Sequence, residues 1–155
     1  MEISLAPIAE RDIEELLAGL LLEDRQEILA LGFEPEWAVR NSVATSVECW
    51  AIRGDGRLAC LTGVCEPLAL DSRVYPWMLG TELLLQQPRK TLVLSRRFIR
   101  MWQRRYPYMA NYVDKRHHRA VRWLTWLGAK LTLDPAFGPF RRPFYKFEFG
   151  EPPCA

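Results

Sequence analysis

The sequence predicts a mixed α/β domain: a mainly antiparallel central sheet with helices on both faces. Three observations carry this. Apolar residues recur at helical spacing through the N-terminal part, two strand-like runs meet at a glycine-rich turn around Asp55, and from there onward strand-like and helical stretches alternate. The 155 residues, 49% of them hydrophobic, suffice for one sizeable core, so residues 1–150 read as a single domain and 151–155 as a frayed tail.

Ile3 and Leu5 alternate with polar neighbours ahead of Pro7, which suits a short opening strand. Ala9 to Leu22 carries Ile13, Leu16, Leu17 and Leu20 at helical spacing, and a second helix follows it. Asp24 with Glu27 three residues on has the form of a capping box, and Gly32 that of a C-terminal stop. Pro35 suits the first turn of a third helix running through Trp37, Ala38 and Val39 towards Ser42. Val47 to Ile52 and Arg57 to Val64 are strand-like, and Gly54-Asp55-Gly56 supplies residues that accept the positive φ of a tight hairpin turn. Trp77 to Thr81 reads as another strand, reached through a loop with Pro67 and Pro76. From Thr91 to Tyr106, Leu94, Phe98, Met101 and Trp102 form an apolar stripe with Arg96, Arg97, Arg100 and Arg104 on the other side, an amphipathic helix that Pro107 ends. Tyr108 to Val113 reads as a strand and Lys115 to Leu127 as a helix stopped by Gly128. Leu131 to Leu133 and Pro143 to Phe149 read as two closing strands.

The net charge of +2 is unevenly spread: residues 1–40 hold 3 basic and 10 acidic side chains, residues 89–130 hold 12 and 1. Either the acidic helices pair with the basic stretch inside the fold, or the basic surface faces a partner. Its interleaving with Trp102, Tyr106, Trp123 and Trp126 is compatible with nucleic acid. Solvated helix faces explain the same periodicity, and a protein partner or internal pairing, then CoA phosphates, rank above nucleic acid, which is not expected as a partner. Trp37 and Trp126 are the tryptophans to examine for exposure. No basic stretch precedes an apolar run near the N-terminus and no run is long enough to span a bilayer, so no membrane partner and a cytoplasmic location are expected. Cys49, Cys60, Cys65 and Cys154 form no C-x-x-C pair and read as reduced thiols. His117 and His118 are adjacent on a helix, point about 100° apart and cannot chelate one ion together, so no metal is expected.

The segment from His117 to Ala129, taken with the element order, resembles the GNAT N-acetyltransferase superfamily, in which a strand leads into a helix that ends in a Leu-Gly-Phe-like turn; Ala120, Val121, Leu127 and Gly128 match. More narrowly, Asp24 to Gly32, Pro76 to Thr81, Tyr106 to Asp114 and Arg122 to Gly128 resemble the GNAT-like proteins of short-tailed bacteriophages, of the internal-virion-protein type. The resemblance implies a splayed pair of central strands, here Trp77 to Thr81 and Tyr108 to Val113, that takes the pantetheine arm of acetyl-CoA or CoA. It implies Met78, Leu79, Gly80, Arg89, Lys90 and His117 as cofactor contacts. It also implies a base for the incoming amine, for which Glu82, just past the central strand, is the candidate, with Glu48 and Glu66 behind it; a solvated surface carboxylate is the plainer account of each.

The chain departs from the family in several places. Between Thr81 and Thr91 there is no glycine, so Arg89 and Lys90 stand in for the usual backbone phosphate cradle. Leu124 stands where a proton-donating Tyr is common, and His117 and Ala129 replace an Asn and a Phe. Two functions follow from the resemblance. One is an acyl-CoA-dependent N-acyltransferase or a degenerate relative of one. The other is a non-catalytic GNAT-like scaffold that binds a host or phage protein or takes part in virion assembly, in the host cytoplasm or packaged in the virion.

Overall fold

A computed structural model describes residues 1–66 and 74–152; Pro67, Cys154 and most of the expected tail lie outside the described residues. The chain runs β1 (Ile3–Ala6), α1 (Glu10–Gly19), α2 (Leu22–Ala30), α3 (Pro35–Thr45), β2 (Ser46–Gly54), β3 (Arg57–Cys65), β4 (Tyr75–Gly80), α4 (Glu82–Gln86), α5 (Pro88–Arg105), β5 (Met109–Asp114), α6 (His118–Trp126), β6 (Lys130–Phe137) and β7 (Arg142–Phe149). Its strands form two antiparallel sheets, ordered β1-β2-β3-β4 and β5-β7-β6.

The hairpin between β2 and β3 turns through Asp55 (φ 50°) and Gly56 (φ 78°), two consecutive positive-φ residues whose twist matches that of the strands. β3 is apolar almost throughout because both of its faces are covered. Cys60 and Val64 pack with Phe98, Trp102, Met109 and Phe147 on the side of α5. Leu58 and Leu61 pack with Ile13, Leu16, Ile28 and Val39 of α1, α2 and α3 on the other.

The two sheets meet at β4 and β5, which run parallel. An isolated bridge joins Val74 to Met109, where Ala110 N–H donates to Val74 O at 3.1 Å. Past that bridge no ladder connects the two strands among the described residues. The pair expected to splay is therefore the pair that splays, with bounds shifted to Tyr75–Gly80 and Met109–Asp114.

Several local expectations need correction. The first helix does not reach Leu22. Leu20 and Leu21 take extended ψ values of 129° and 141°, because Leu21 N–H donates to Gly80 O at 3.0 Å and ties the chain to the end of β4. Asp24 and Glu27 form no capping box: α2 already begins at Leu22, and both carboxylates point to other elements. The stretch between Thr81 and Thr91 holds the single-turn helix α4, and α5 starts at Pro88, which suits a first turn because its missing N–H would have no partner there. Lys115 and Arg116 lie in a turn, so α6 is shorter than expected and ends before Gly128 (φ 94°). Cys49, Cys60 and Cys65 are free thiols, and burial pushes Cys60 up to about 12. Among the described residues no helix is long and apolar enough to cross a membrane, and no group of His, Cys, Asp and Glu side chains is placed to hold a metal ion.

Candidate functional site

Parallel strands that part leave backbone groups facing each other without a ladder, and each needs a partner. Thr81 N–H donates to Ala59 O at 2.9 Å, so the odd-numbered residues of β4 turn towards β3. By alternation Met78 and Gly80 present their N–H and C=O to the splay. On β5, Lys115 N–H donates to Pro143 O and Ala110 N–H to Val74 O, so Ala110, Tyr112 and Asp114 face the splay.

Several of these groups are satisfied by side chains. Asn111 Nδ2 donates to Pro76 O at 3.0 Å, while its Oδ1 accepts from Tyr112 N–H at 2.8 Å. Glu27 Oε1 accepts from Asp114 N–H at 2.6 Å. At the end of β4, Leu21 N–H donates to Gly80 O, and Gly80 N–H donates to Asp24 Oδ2 at 2.9 Å. Among the described residues neither the N–H nor the C=O of Met78 has a partner across the splay, and the C=O groups of Ala110 and Tyr112 that face it have none either. Leu79, by the same alternation, spends its peptide groups on β3.

Around this opening lies a cavity of about 380 Å³, within the range of small-ligand sites. Met78, Leu79, Gly80, Lys90 and His117 line it, as do Asp24, Glu27 and Arg119. Trp102 and Trp123 also line it, and their buried indole Nε1–H donors have no hydrogen-bond partner among the described residues. Glu82 and Arg89 are exposed and outside the lining. Glu66 is exposed at the end of β3, while Glu48 accepts from Trp50 Nε1 and Arg105. The sequence expectations therefore divide. Five of the six cofactor candidates meet at one cavity, and the carboxylates that meet there with them are Asp24 and Glu27, which the sequence offered as caps.

His117 occupies the N-cap position of α6 and is buried. Its Nε2 faces Asp24 Oδ1 at 3.0 Å, and its Nδ1 accepts from Ala120 N–H at 3.4 Å, the arrangement of the Nε2–H tautomer. Asp24 thus bonds the end of β4 with one oxygen and the start of α6 with the other, spanning the mouth of the splay. Burial by itself pulls the His117 pKa down, but the bond to Asp24 and the nearby charge of Asp24 and Glu27 outweigh it, and the net direction is up. Glu27, half-buried, is pushed up to about 7, chiefly by burial and further by Asp24 and Asp114, against the Asp114 N–H bond and His117.

These directions predict how stability follows pH. Glu27 and His117 both bind protons more tightly in the folded chain than in the unfolded one, so stability falls as pH rises. The Glu27 contribution is whole below its ordinary 4.5 and lost through about 7. That of His117 is whole below 6.5 and lost as pH passes its raised folded value. Asp114 and Glu15 are lowered and act oppositely, weakening the fold only in acid. Urea midpoints are expected to decline from about pH 5 to 8, and the decline should flatten in Glu27→Gln and His117→Gln. Midpoints that rise over that range would contradict the assignment.

No protein-family model matches the sequence, and no curated protein matches it. Solved structures are similar to the fold. An aminoglycoside N(6′)-acetyltransferase from Legionella pneumophila superposes with a TM-score of 0.71 at 11% identity, over 96% of this chain and 93% of that one. A GNAT-family acetyltransferase from Bacillus anthracis gives 0.69 at 9%, over 96% and 95%. An acetyltransferase from Bacillus subtilis, solved in complex with CoA, gives 0.66 at 13%, over 97% and 98%. Near-complete coverage of both chains, with the same splayed strand pair that the sequence resemblance implied, shows that this protein has the GNAT acetyltransferase fold.

Proposed function

We propose that the protein is an acyl-CoA-dependent N-acyltransferase whose splay receives the pantetheine arm of acetyl-CoA. The observation that carries this reading is Met78, whose backbone N–H and C=O both face the opening and have no partner across it among the described residues, as an amide-bearing arm requires. The CoA bound to the Bacillus subtilis structure of the same fold supports it. Lys90 and Arg119 bring positive charge to the cavity for the phosphates, with Arg89 close by on the first turn of α5. Leu79, Gly80 and His117 shape the wall. When bound, acetyl-CoA supplies a thioester open to attack by an amine. The chain's own part is to exclude water with an apolar wall and to take a proton from the acceptor.

Glu27 fits the role of proton acceptor, because it lines the cavity, its Oε1 is fixed by Asp114 N–H, and its Oε2 has no partner among the described residues. Glu82, exposed on α4, is the second candidate and serves as the comparison.

One observation favours a different reading. Gly80 has both peptide groups taken by α2 and the residue before it, and α4 stands where a glycine-rich phosphate loop would be. That closure fits a scaffold without turnover, binding a host or phage protein as the narrower resemblance to virion proteins implies. Calorimetric titration separates the two. Acetyl-CoA and CoA are expected to bind, and Met78→Pro, which removes a donor facing the splay but none of the ladder to β3, is expected to weaken binding about tenfold. Absence of heat at millimolar ligand would leave the scaffold reading.

A further inference from the structure

We infer that the outer faces of α5 and α6 form a binding surface for single-stranded nucleic acid, distinct from the acyl-donor cavity and independent of whether the protein turns over acetyl-CoA. The first argument is a charge account. The acidic N-terminal helices do not neutralise the basic helices. Glu10 and Glu36 pair with Arg40, Asp12 and Glu15 pair with Arg53, Asp24 bonds His117, and Glu27 bonds a backbone N–H. Of the α5 and α6 arginines, Arg105 pairs with an acid, Glu48. Among the described residues Arg97, Arg100, Arg104 and Arg122 have no carboxylate partner, and neither helix contains an acidic residue.

The second argument is geometric. At about 100° per residue, Arg96, Arg97, Arg100 and Arg104 lie within an arc of about 100° on α5, and with about 1.5 Å rise per residue the set extends about 12 Å along the axis. Trp126 on α6 is 47% exposed, and the Arg96 guanidinium lies 3.9 Å from the centroid of its ring, joining the two helices. Arg122 stands one turn from Trp126 on the same face of α6. The result is a row of guanidinium groups on α5, the first of which, Arg96, lies over one face of the half-exposed indole of Trp126.

The partner class follows from what this surface lacks. Arginine and tryptophan occur at both kinds of interface, but nucleic-acid interfaces are much more positively charged than protein ones, and neither helix here carries an acid. Here arginines run through the centre. Guanidinium groups pair with phosphates in two-pronged fashion, and an exposed indole stacks on any unpaired base. The ranking that sequence alone allows, with an acidic protein above nucleic acid, rests on charge pattern without knowledge of which charges pair internally.

The test is fluorescence anisotropy of the full chain with a labelled oligothymidylate across a salt series, with labelled polyglutamate as the acidic-protein arm and saturating CoA as a competitor. The oligonucleotide is expected to bind, with affinity that falls steeply with salt and survives CoA. The triple variant Arg97→Gln/Arg100→Gln/Arg104→Gln is expected to weaken it at least tenfold and make the log–log salt slope shallower by about 2. Trp126→Ala should weaken it about tenfold, and Trp126→Phe much less. These side chains lie on the outer faces of their helices, so unchanged circular dichroism is expected and a folding defect would be visible. Preference for polyglutamate, loss of binding with CoA, or an oligonucleotide affinity indifferent to the variants would each overturn the inference, as would no binding at low salt.

Discussion

Asp24→Ala is expected to destabilise the fold by about 3–5 kcal/mol, the cost of breaking a buried charge-assisted network by removing one partner. Asp24 is 7% exposed, with Gly80 N–H on one oxygen and His117 Nε2 on the other. Removing the carboxylate strands a strand-end N–H, a buried imidazole and the contact between α2 and the sheet at once. A typical domain is stable by about 5–15 kcal/mol, so the loss is a large share of the total. Asp24→Asn should cost less, about 1–2 kcal/mol, because an amide oxygen still accepts from Gly80 N–H and only the bond to His117 is lost, the Asn NH₂ and the His117 Nε2–H both being donors. The penalty of Asp24→Ala should also shrink as pH rises past the raised pKa of His117, since the charged pair it destroys is then already lost. Urea unfolding at about pH 6 and 8 measures both, and a penalty under about 1 kcal/mol at pH 6 would show that Asp24 does not hold the mouth of the splay.

The same residue shows how far a sequence can be read. The elements with strong periodicity, such as the hairpin around Asp55 and Gly56 or the cationic helix before Pro107, are legible because their signals are local. Asp24 and Glu27 mislead because a carboxylate at that spacing serves a helix N-terminus equally well in the sequence. What decides otherwise is Leu21, drawn into extended backbone by Gly80, a residue far along the chain. Glu27 escapes notice as a site residue for the same reason, since its partner is the Asp114 N–H across the splay. His117 carries one usable signal, a histidine at the N-cap of the helix that follows β5, and it sits in the cavity. Met78 is reached through the family resemblance, but that its peptide faces the opening while that of Leu79 does not is a fact of strand register. Glu82 stands out by closeness to β4 in sequence, yet the one-turn helix α4 carries it to the surface.

Glu27→Gln is expected to lower kcat/KM for acetyl transfer by about 10²–10⁴-fold, the usual contribution of a positioned general base. The substitution is nearly isosteric, and a glutamine oxygen can still accept from Asp114 N–H, so binding of acetyl-CoA and the fold should persist. That separates a lost proton acceptor from a lost site. With its pKa pushed up to about 7, Glu27 in the native protein becomes an effective base only as pH passes that value. The rate should therefore rise on a limb near pH 7, and Glu27→Gln should remove the limb as well as the rate. Glu82→Gln, on an exposed turn, should leave both in place. The measurement is initial CoA release from acetyl-CoA with polyamine, aminoglycoside and peptide N-terminal amines as acceptors, followed across pH for the fastest acceptor. If Glu82→Gln abolishes the rate and Glu27→Gln does not, the proton leaves by way of α4 and the acceptor approaches from outside the cavity. If neither changes it, a well-positioned amine needs no protein base, and Glu27 serves the splay only by capping the end of β5.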